Sequence, residues 1–468
     1  MREVLGALAA HADRRPERPA VLDGSGCLSY GELARAVRST AAWAAIALPA
    51  GAVGLLAPKD RRAVIWHLAL AWAGRTIVPL PEFFSSAQLA HLIADAGIKA
   101  VVAVPEMAEI ARSICPAVLT PDLAPHPSAE PAGDARCIIY TSGTTGRPKG
   151  VVLGASQLGA SVRALVETVG ATADDRMLSV LPFALLLEQV AGMLVPLSVG
   201  ASIALCPSPQ ALPIAAETHA PTATILVPEM LAGWVGWLEQ QGKHAPATLR
   251  FVAAGGAPVP PRLAERAWAV GLPVHEGYGL SECCSVVAVN RPGERVAGTV
   301  GRPLPGVSVA IDDGEIVVGG PTVMEGYLGG KPTGGVWRTG DAGRFDAEGR
   351  LIIEGRIDDL IVTTTGRNIH PEWIESMILE DRRVGLCAVI GGGSHPRAVL
   401  VPARGQLGDA GPAEIDALVA RLCAEAPDYA RPRASLMLSE AVLHQQELIT
   451  ANGRLRRPAI AAYLKETP

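Results

Sequence analysis

The sequence predicts an α/β protein with a large N-terminal domain of stacked sheets and a small α+β C-terminal lid domain. Helical periods alternate with short β-branched runs, for example at 100–104, 137–140 and 250–256. Such alternation favours largely parallel sheets. From Val307 the pattern changes to short strands with glycine turns, and past Arg356 a smaller segment begins.

Each element follows from local patterns. The N-terminal stretch MREVLGALAAHADRRPERPAVLDG predicts an amphipathic helix, because charged residues follow its short apolar run directly, and a signal peptide is not indicated. The Pro- and Ala-rich segment 116–135 predicts an irregular surface connection. VSVAIDDGEIVVGG and GRFDAEGRLIIEGR predict β-hairpins that form a β-rich subdomain. Helices are predicted from Pro371 and from Ala413, and the domains are placed at 1–356 and 357–468.

Composition narrows the function classes. The chain has 468 residues, of which 49% are hydrophobic and 19% are charged, so it can bury a large core. Its net charge is −5, from 41 basic and 46 acidic side chains, and it has no basic block. A nucleic-acid-binding surface needs clustered Lys and Arg, and we therefore expect no nucleic-acid partner.

The cysteines and the apolar segments indicate a compartment. The 8 cysteines include no C-x-x-C pair, so neither a zinc knuckle nor a disulfide framework is predicted. Reduced thiols are typical of the cytosol. The apolar stretch LPFALLLEQVAGMLVPLSVG is interrupted by Glu188, Gln189 and Pro196, so it does not predict a membrane span. We expect a soluble, cytoplasmic enzyme without stable membrane insertion.

The stretch YTSGTTGRPKG, residues 140–150, predicts a binding loop for an anion. Its glycines let the backbone approach a ligand, and exposed N–H groups can form an anion-binding nest. Hydroxyls and the ammonium of Lys149 add donors. The loop follows the predicted strand 137–140, where ligands of α/β sheets bind. It lacks the spacing of a Walker loop, and a flexible linker is the alternative interpretation.

This loop resembles the phosphate-binding loop of the adenylate-forming superfamily, which includes acyl-CoA synthetases, nonribosomal-peptide adenylation domains and luciferases. Further motifs resemble those of the superfamily, in its order and over nearly the whole chain. They are LSYGEL (28–33), AWAGRTIVPL (71–80), GGAPV (255–259), EGYGLSE (276–282), WRTGD (337–341), GRIDDLIVTTTGRNIHPEWIE (355–375) and TANGRLRR (450–457).

The resemblance implies that a carboxylate attacks the α-phosphate of ATP, with Mg²⁺ present and pyrophosphate leaving. Because charge grows on the phosphate oxygens, cations and N–H donors must already be in place. The implied catalytic residues are Thr145, Lys149, Glu282 and Arg454. Glu282 is a hard oxygen ligand suited to Mg²⁺. The implied ATP- and AMP-binding residues are Thr141, Ser142, Gly143, Thr144, Gly146, Gly256, Ala257, Glu276, Gly277, Tyr278, Gly279, Ser281, Asp341 and Arg356.

Each of these residues has an ordinary structural alternative. Glu282 can be an exposed loop carboxylate, Tyr278 a packed core aromatic, and Asp341 a turn residue beside its glycine. Seven motifs in register make that alternative poor for the whole set.

The resemblance also implies a second half-reaction with a thiol. Members of the superfamily rotate the small domain between adenylate formation and thiol transfer, and Asp358 is the implied hinge. Gly366 matches the loop that enters the site for the second step, where a glycine leaves room for a pantetheine channel. Rotation of this kind excludes water from a reactive intermediate. The acceptor is either CoA or a phosphopantetheine-carrier protein.

Arg454 departs from the superfamily pattern, which has a lysine at this position in contact with the substrate carboxylate and the α-phosphate. Arg can replace Lys if only charge matters, since its guanidinium contacts carboxylate and phosphate oxygens. If the compact ammonium is required, adenylation slows, and each 1.4 kcal/mol is about tenfold in rate. We favour a working enzyme.

The carboxyl substrate is predicted to be apolar. Members that activate amino acids carry an Asp in the motif that aligns with LPFALLLEQ, and this chain has none there. An α-ammonium would therefore be buried unpaired, which is costly. The motif most resembles the fatty-acyl-CoA ligase branch and suggests a role in fatty acid metabolism. The candidate pocket residues are Leu185, Val227, Ala253, Cys283 and Val286, and ordinary core packing is the alternative for each.

Three rival functions stay open from the sequence. A stand-alone adenylation enzyme would load an acyl or β-amino acyl group onto a carrier protein. A nucleotide- or acyl-binding module without turnover would follow if Arg454 impairs catalysis. A luciferase-like monooxygenase is remote, since nothing in the sequence specifies oxygen chemistry.

Overall fold

The structure, a computed structural model, confirms the predicted α/β class with a large N-terminal domain and a small α+β C-terminal domain. It describes residues 1–115, 117–121, 135–141, 148–364, 366–391, 393–403, 406–407, 410–450, 453 and 455–466.

The helices of the large domain alternate with its strands along the chain, as predicted. Its helices are α1 (Arg2–Arg14), α2 (Tyr30–Ala47), α3 (Arg61–Trp72), α4 (Ser86–Asp95), α5 (Ala108–Ile114), α6 (Ala155–Val169), α7 (Val195–Val199), α8 (Leu212–His219), α9 (Pro228–Gln241) and α10 (Pro261–Ala269). A π-helix covers Glu188–Leu194, and short 3-10 helices cover Pro105–Met107, Pro209–Ala211 and Ser281–Cys283.

The strands of the large domain are short, and many are apolar on both faces. They are β1 (Pro19–Asp23), β2 (Gly26–Ser29), β3 (Ala52–Leu56), β4 (Thr76–Pro79), β5 (Ala100–Ala103), β6 (Val118–Leu119), β7 (Arg136–Thr141), β8 (Lys149–Leu153), β9 (Arg176–Ser179), β10 (Ser202–Leu205), β11 (Ala223–Leu226), β12 (Phe251–Ala254), β13 (Val274–Tyr278), β14 (Ala288–Val289), β15 (Arg302–Pro303), β16 (Ser308–Asp312), β17 (Glu315–Gly319), β18 (Gly326–Tyr327), β19 (Val336–Phe345) and β20 (Leu351–Arg356). The strands predicted at 100–104, 137–140 and 250–256 are confirmed as β5, β7 and β12.

Two mixed sheets form the body of this domain. Sheet A has the order β15-β14-β13-β12-β11-β9-β10-β1-β2, and sheet B has the order β18-β8-β7-β4-β3-β5-β6. Sheet A is parallel in its interior and antiparallel at both edges. Sheet B is antiparallel only at the β18–β8–β7 edge, and its other edge strand, β6, pairs with β5 in parallel. The largest apolar core lies between them and includes helices α2, α3 and α6. Parallel strands covered on both faces explain the near-continuous apolar runs in the sequence.

The β-rich subdomain is confirmed as sheet C, with the order β16-β17-β19-β20. Both predicted hairpins are present, β16 with β17 and β19 with β20. The second hairpin places Asp341 opposite Arg356, and this register brings two predicted site residues together.

The elements that follow β20 belong to the small C-terminal domain, called the lid here, and the predicted boundary between residues 356 and 357 stays a prediction. Its strands are β21 (Ile361–Val362), β22 (Asn368–Ile369), β23 (Val384–Ile390), β24 (Arg397–Pro402) and β25 (Ala434–Met437), and its helices are α11 (Pro371–Ile378), α12 (Pro412–Leu422), α13 (Glu440–Gln445) and α14 (Arg457–Glu466), with a 3-10 turn at Asp428–Ala430. The helix predicted from Pro371 is confirmed, and the one predicted from Ala413 begins one residue earlier. Proline suits the first turn of a helix, because its missing N–H would have no partner there.

Three further predictions concern the N-terminal helix, the connection at 116–135 and the absence of a membrane span. The amphipathic N-terminal helix is confirmed as α1, which buries Val4, Leu5 and Leu8. Of the predicted irregular connection 116–135, residues 116 and 122–134 lie outside the described residues. No helix in the described ranges combines the length and apolar character needed to cross a bilayer.

Candidate active site

A continuous cavity lies where the carboxyl ends of the sheet A strands meet hairpin β7–β8, sheet C and the lid. Ligands of α/β sheets bind beyond the carboxyl ends of the strands. The cavity is lined by these predicted catalytic and nucleotide-binding residues: Thr141, Lys149, Gly256, Ala257, Glu276, Gly277, Tyr278, Gly279, Ser281, Glu282, Asp341 and Arg356. The fold thus brings together motifs that are far apart in the sequence.

Lys149 and Glu282 both contact Tyr327, one at its ring and the other at its hydroxyl. Lys149 is exposed at the start of β8, and its Nζ lies 5.4 Å from the centroid of the Tyr327 ring. The hydroxyl of Tyr327 donates to Glu282 Oε1 at 2.7 Å. A cation, a phenol and a carboxylate therefore share one wall of the cavity, and such groups suit a phosphate and its metal ion.

Helix α4 holds both ends of the glycine-rich loop. The hydroxyl of Tyr140, just before the loop, donates to Asp95 Oδ2 at 2.6 Å. On the other side, His91 Nε2 lies 3.1 Å from the carbonyl oxygen of Pro148. The predicted loop residues Ser142, Gly143, Thr144, Thr145 and Gly146 lie outside the described residues. Their contact with phosphate stays a prediction.

Asp341 links Tyr278 to Arg356. The Tyr278 hydroxyl donates to Asp341 Oδ2, and Arg356 Nη1 donates to Asp341 Oδ1 at 2.9 Å. The same guanidinium nitrogen donates to the carbonyl oxygen of Thr339 at 2.8 Å. Burial and the neighbouring Asp341 raise the pKa of Tyr278, so its phenol stays protonated and remains a donor. These three hydrogen-bonded side chains form a polar edge of the cavity that is suited to the hydroxyls of a ribose.

Glu276 sits beneath the loop that follows β12. Its Oε1 accepts from the backbone N–H of Val259 at 3.2 Å, and its buried Oε2 has no hydrogen-bond partner among the described residues. Burial raises the pKa of Glu276 to about 8, so the carboxyl is mostly protonated at neutral pH. A buried polar atom without a partner, on the wall of a cavity, marks a place where a ligand can supply one.

The turn after β13 is strained. A Cβ at Gly279 would lie 1.7 Å from the carbonyl oxygen of Ser285, so only glycine fits. Cys284 and Ser285 have φ values of 55° and 89°, in the left-handed region that L residues rarely adopt. Strain of this kind concentrates at functional sites. Within this turn Glu282 lines the cavity, whereas Cys283 and Cys284 are fully buried in the core.

The Glu276→Gln variant is expected to be more stable than wild type, and the difference in their free energies of unfolding should grow as pH rises. The folded pKa of about 8 lies above the unfolded value of 4.5. Between these values the folded state binds more protons, so wild-type stability falls as pH increases through this window. Glutamine keeps the acceptor for Val259 without the ionisation. Thermal unfolding should show the variant gaining up to about 4–5 kcal/mol over wild type from pH 4 to pH 9, and a gap that does not change with pH would contradict this.

Most of the predicted pocket residues lie on the apolar part of the cavity, and their contact with the substrate stays a prediction. Leu185, Val227, Ala253 and Val286 line it. Cys283 does not line it and is 0% exposed in the core behind the wall, so its placement in the pocket is corrected. The reason is the left-handed turn that follows, which sequence patterns do not reveal.

Sequence reasoning missed Tyr327, Lys59 and Ser285. Tyr327 reaches the site because β18 pairs with β8 at the edge of sheet B. Lys59 forms a buried ion pair behind the cavity wall. Ser285 lines the cavity, and its hydroxyl has no hydrogen-bond partner among the described residues. Neither a lone tyrosine nor a lone lysine carries a local signal, since their contacts depend on long-range pairing.

The lid faces the cavity with its C-terminal segment. Asp358, Gly453 and Arg456 line the cavity. Gly366, exposed and with a φ of +75°, does not line it. Arg454 lies outside the described residues, and its catalytic role stays a prediction. This orientation presents the segment that resembles the adenylation motif, whereas the loop predicted to admit the thiol points elsewhere.

Ion pairs join the lid to helices α9 and α10. Arg262 of α10 lies 3.0 Å from Glu380 and 3.6 Å from Glu425. Arg382 of the lid contacts Glu239 of α9. The arginine side chains of these pairs are exposed, and such pairs contribute little stability each.

Comparison with known proteins identifies the family. The profile of the family described as AMP-binding enzyme matches residues 8–328. The chain belongs to the AMP-binding enzymes. The predicted membership in the adenylate-forming superfamily is thereby confirmed, and so is the class of an AMP-forming acid–thiol ligase.

This AMP-binding enzyme resembles several characterised proteins. It is 32% identical to a feruloyl-CoA synthase of Amycolatopsis sp over 83% of this chain and 87% of that protein. It is also 34% identical to an indoleacetate–CoA ligase of Aromatoleum aromaticum. That match covers 58% of this chain and 58% of that protein. The solved structure of o-succinylbenzoate coenzyme A synthetase from Bacillus subtilis with ATP and magnesium ion has a TM-score of 0.82 and 25% identity, with 97% of this chain and 98% of that chain covered.

The AMP-binding enzyme offers a partial site for Mg²⁺. Among the described residues, no group of three or more His, Cys, Asp or Glu side chains is placed to hold a metal ion. On the cavity wall, the Glu282 carboxylate and the Lys149 ammonium both contact Tyr327. Mg²⁺ is commonly bound by one or two carboxylates together with substrate phosphates. The donor set therefore fits a metal ion that arrives with the nucleotide.

Proposed function

We propose that this enzyme joins an apolar carboxylic acid to the thiol of CoA through an acyl-AMP intermediate. One observation carries the proposal: the Lys149–Tyr327–Glu282 group and the Tyr278–Asp341–Arg356 triad flank one cavity that continues into an apolar branch. Polar groups suited to a nucleotide and apolar walls suited to an acid therefore line the same cavity.

In the first half-reaction, a carboxylate oxygen of the acid attacks the α-phosphorus of ATP. The bond from that phosphorus to the β-bridging oxygen breaks, and pyrophosphate leaves with the electron pair. Lys149 offsets charge that grows on the departing phosphates, which is the kind of preorganised electrostatic stabilisation that contributes most in such sites. Mg²⁺, when bound, would supply further positive charge to the phosphate oxygens. Asp341 and Arg356 orient the ribose, and Tyr278 offers a face to the adenine.

In the second half-reaction, the thiol sulfur attacks the acyl carbonyl carbon, the thiol proton is lost, and AMP leaves. The present lid orientation keeps Gly366 away from the cavity. We propose that rotation about Asp358, exposed and 3.7 Å from Arg356, brings the Gly366 loop to the acyl-AMP. Such gating separates the two chemistries and excludes water.

The acid is proposed to be apolar and extended, because the cavity continues along sheet A. Ala223, Ile225 and Val227 alternate along β11 and beyond it, and all three line the cavity. The distance they span is roughly 13 Å at 3.3 Å per residue. A pair between Arg250 and Asp175 lies on the wall at the far end, with Nε–Oδ1 at 2.7 Å.

A C–C bond of about 1.5 Å gives this length room for an acyl chain of on the order of ten carbons. Long-chain fatty acid and aromatic acid ligases both occur among the relatives. Fatty acids and aryl-alkyl acids are therefore the two substrate groups to compare.

Replacing Ala223 by leucine is expected to shorten the preferred acid. The added side chain would fill the far end of the cavity, where Ala223 is paired with Phe251. We expect kcat/KM for acids near the length limit to fall roughly tenfold or more, since one misplaced group in an apolar pocket has an effect of this size. Acids of four to six carbons should change little. Ala47→Leu, on the exposed end of α2, is the matched control, and equal losses for long and short acids would refute the placement.

The proposal is tested by acid-dependent ATP–pyrophosphate exchange with a panel of fatty and aryl acids, followed by thioester formation with CoA or with a phosphopantetheinylated carrier protein. Exchange with apolar acids and transfer to CoA is the expected result. Transfer to carrier alone would favour a loading enzyme. ATP binding without exchange for any acid, restored by Arg454→Lys, would favour a binding module and overturn the proposal.

A further inference from the structure

A buried ion pair lies behind the wall of the apolar pocket. Lys59, in the turn between β3 and α3, places its Nζ 3.1 Å from Glu188 Oε1. Glu188 is 0% exposed and opens the π-helix. The two residues join sheet B to the segment that follows β9 of sheet A. Neither belongs to the motifs that indicate nucleotide binding.

The Lys59 ammonium contacts the pocket wall at three points. Besides Glu188, it donates to the carbonyl oxygen of Leu181 and lies 4.8 Å from the centroid of the Phe183 ring. All three contacts fall within 181–188. Cavity-lining residues of this segment are Leu181, Pro182, Ala184, Leu185, Leu186 and Leu187. One cation therefore fixes the path of the segment whose side chains form the wall.

The surroundings of Glu188 accommodate its carboxylate closely. The hydroxyl of Ser179 donates to Oε1. A Cβ on Gly192 would lie 2.7 Å from the same atom, so the glycine leaves the room that the carboxylate fills. Gln189, the next residue, donates from Nε2 to the carbonyl oxygen of Phe183 at 2.7 Å. Short π-helical segments, such as Glu188–Leu194 beside this cavity, occur frequently at functional sites.

A buried ion pair is a poor means of adding stability. Removing two charges from water is costly, and a well-packed apolar pair of similar volume is often as stable or more so. Burial lowers the pKa of Lys59, while Glu188 opposes that shift. What the pair supplies that an apolar pair cannot is the directed contact from Nζ to the Leu181 carbonyl.

We propose that Lys59 is a positioning residue for the acyl substrate, holding segment 181–187 through Leu181, Phe183 and Glu188 so that its side chains form the pocket wall. This inference rests on the proposed function, since it names what shapes the acid-binding part of the same cavity. Lys59 contacts neither the nucleotide groups nor the reacting atoms, so its effect is confined to acid binding.

Lys59→Met is expected to raise KM for acids on the order of tenfold or more, while KM for ATP changes by less than about twofold, because only one substrate loses its binding surface. Amide hydrogen exchange in 181–187 should become roughly tenfold faster, since local opening is easier without the anchor. Glu188→Gln, which keeps the shape and removes one charge, gives a second variant if Lys59→Met does not fold. Lys243→Met removes an exposed lysine paired with Glu217 at 2.7 Å and is the matched control.

The double variant Lys59→Met/Glu188→Leu separates positioning from stability. It removes both charges, so its unfolding temperature should return toward wild type, while its KM for acids stays raised. Recovery of both quantities together would overturn the proposal, as would unchanged amide exchange in 181–187 in the single variants. If the wild-type enzyme shows no acid-dependent ATP–pyrophosphate exchange, the proposed function is refuted instead. The amide hydrogen exchange of residues 181–187 would still decide whether Lys59 positions this segment.

Discussion

Replacing Lys149 by alanine is expected to reduce acid-dependent ATP–pyrophosphate exchange by on the order of 100-fold or more. The ammonium lies on the cavity wall 5.4 Å from the Tyr327 ring, whose hydroxyl donates to Glu282. Alanine leaves this wall without its cation, so negative charge on the departing pyrophosphate loses a fixed partner. The loss should appear mainly in kcat, because the charge on that group grows in the transition state.

Two comparisons make the Lys149 result specific. Lys243→Ala removes an exposed lysine of the same domain, in an ion pair with Glu217, and should leave exchange within about twofold of wild type, since exposed pairs contribute little. Lys149→Arg keeps the charge and should recover part of the activity. Full exchange in Lys149→Ala would show that the glycine-rich hairpin does not hold the triphosphate.

Replacing Asp341 by alanine is expected to lower kcat/KM for ATP by roughly 100-fold, about 2–3 kcal/mol. Asp341 accepts from the hydroxyl of Tyr278 and from Arg356 Nη1 at 2.9 Å. Its removal leaves the Arg356 guanidinium with one partner fewer in a partly buried place and frees the Tyr278 ring to turn. Both the ribose and the adenine side of the site are therefore disturbed.

The control for Asp341 is on the same sheet. Asp312→Ala removes a carboxylate that pairs with Arg338 on the exposed face of sheet C, where 64% of the Asp312 side chain is accessible. It should leave ATP kinetics unchanged within about twofold. Equal KM values for ATP in Asp341→Ala and wild type would contradict the ribose assignment.

The sequence was sufficient for those parts of the fold and the site that depend on local patterns. The β-hairpins of sheet C and the helix from Pro371 follow from short-range periodicity and turn residues. Lys149, Glu282, Tyr278 and Asp341 are predicted because each lies in a motif with its own residue order, and all four line the same cavity. The carboxyl-end rule for α/β sheets accounts for the position of the cavity at the end of sheet A, whereas Asp341 reaches it from the antiparallel sheet C.

The remaining features depend on long-range pairing. Lys59 and Glu188 are 129 positions apart, and no local pattern predicts that a buried lysine will find that carboxylate. Tyr327 reaches Glu282 only because β18 adds to the edge of sheet B. Cys283 turns into the core because Cys284 adopts a φ of 55°, which a residue other than glycine rarely shows and sequence reasoning does not expect.

The most direct test of the central claim uses an apolar acid labelled with ¹⁸O in its carboxylate, together with ATP, Mg²⁺ and CoA. If the carboxylate attacks the α-phosphorus and the thiol then cleaves the acyl carbon–oxygen bond, one labelled oxygen must end in AMP, and the other must stay in the thioester carbonyl. Mass spectrometry should find AMP that carries one ¹⁸O atom, together with unlabelled pyrophosphate. Label in inorganic phosphate alongside ADP, or thioester formed without labelled AMP, would contradict the account.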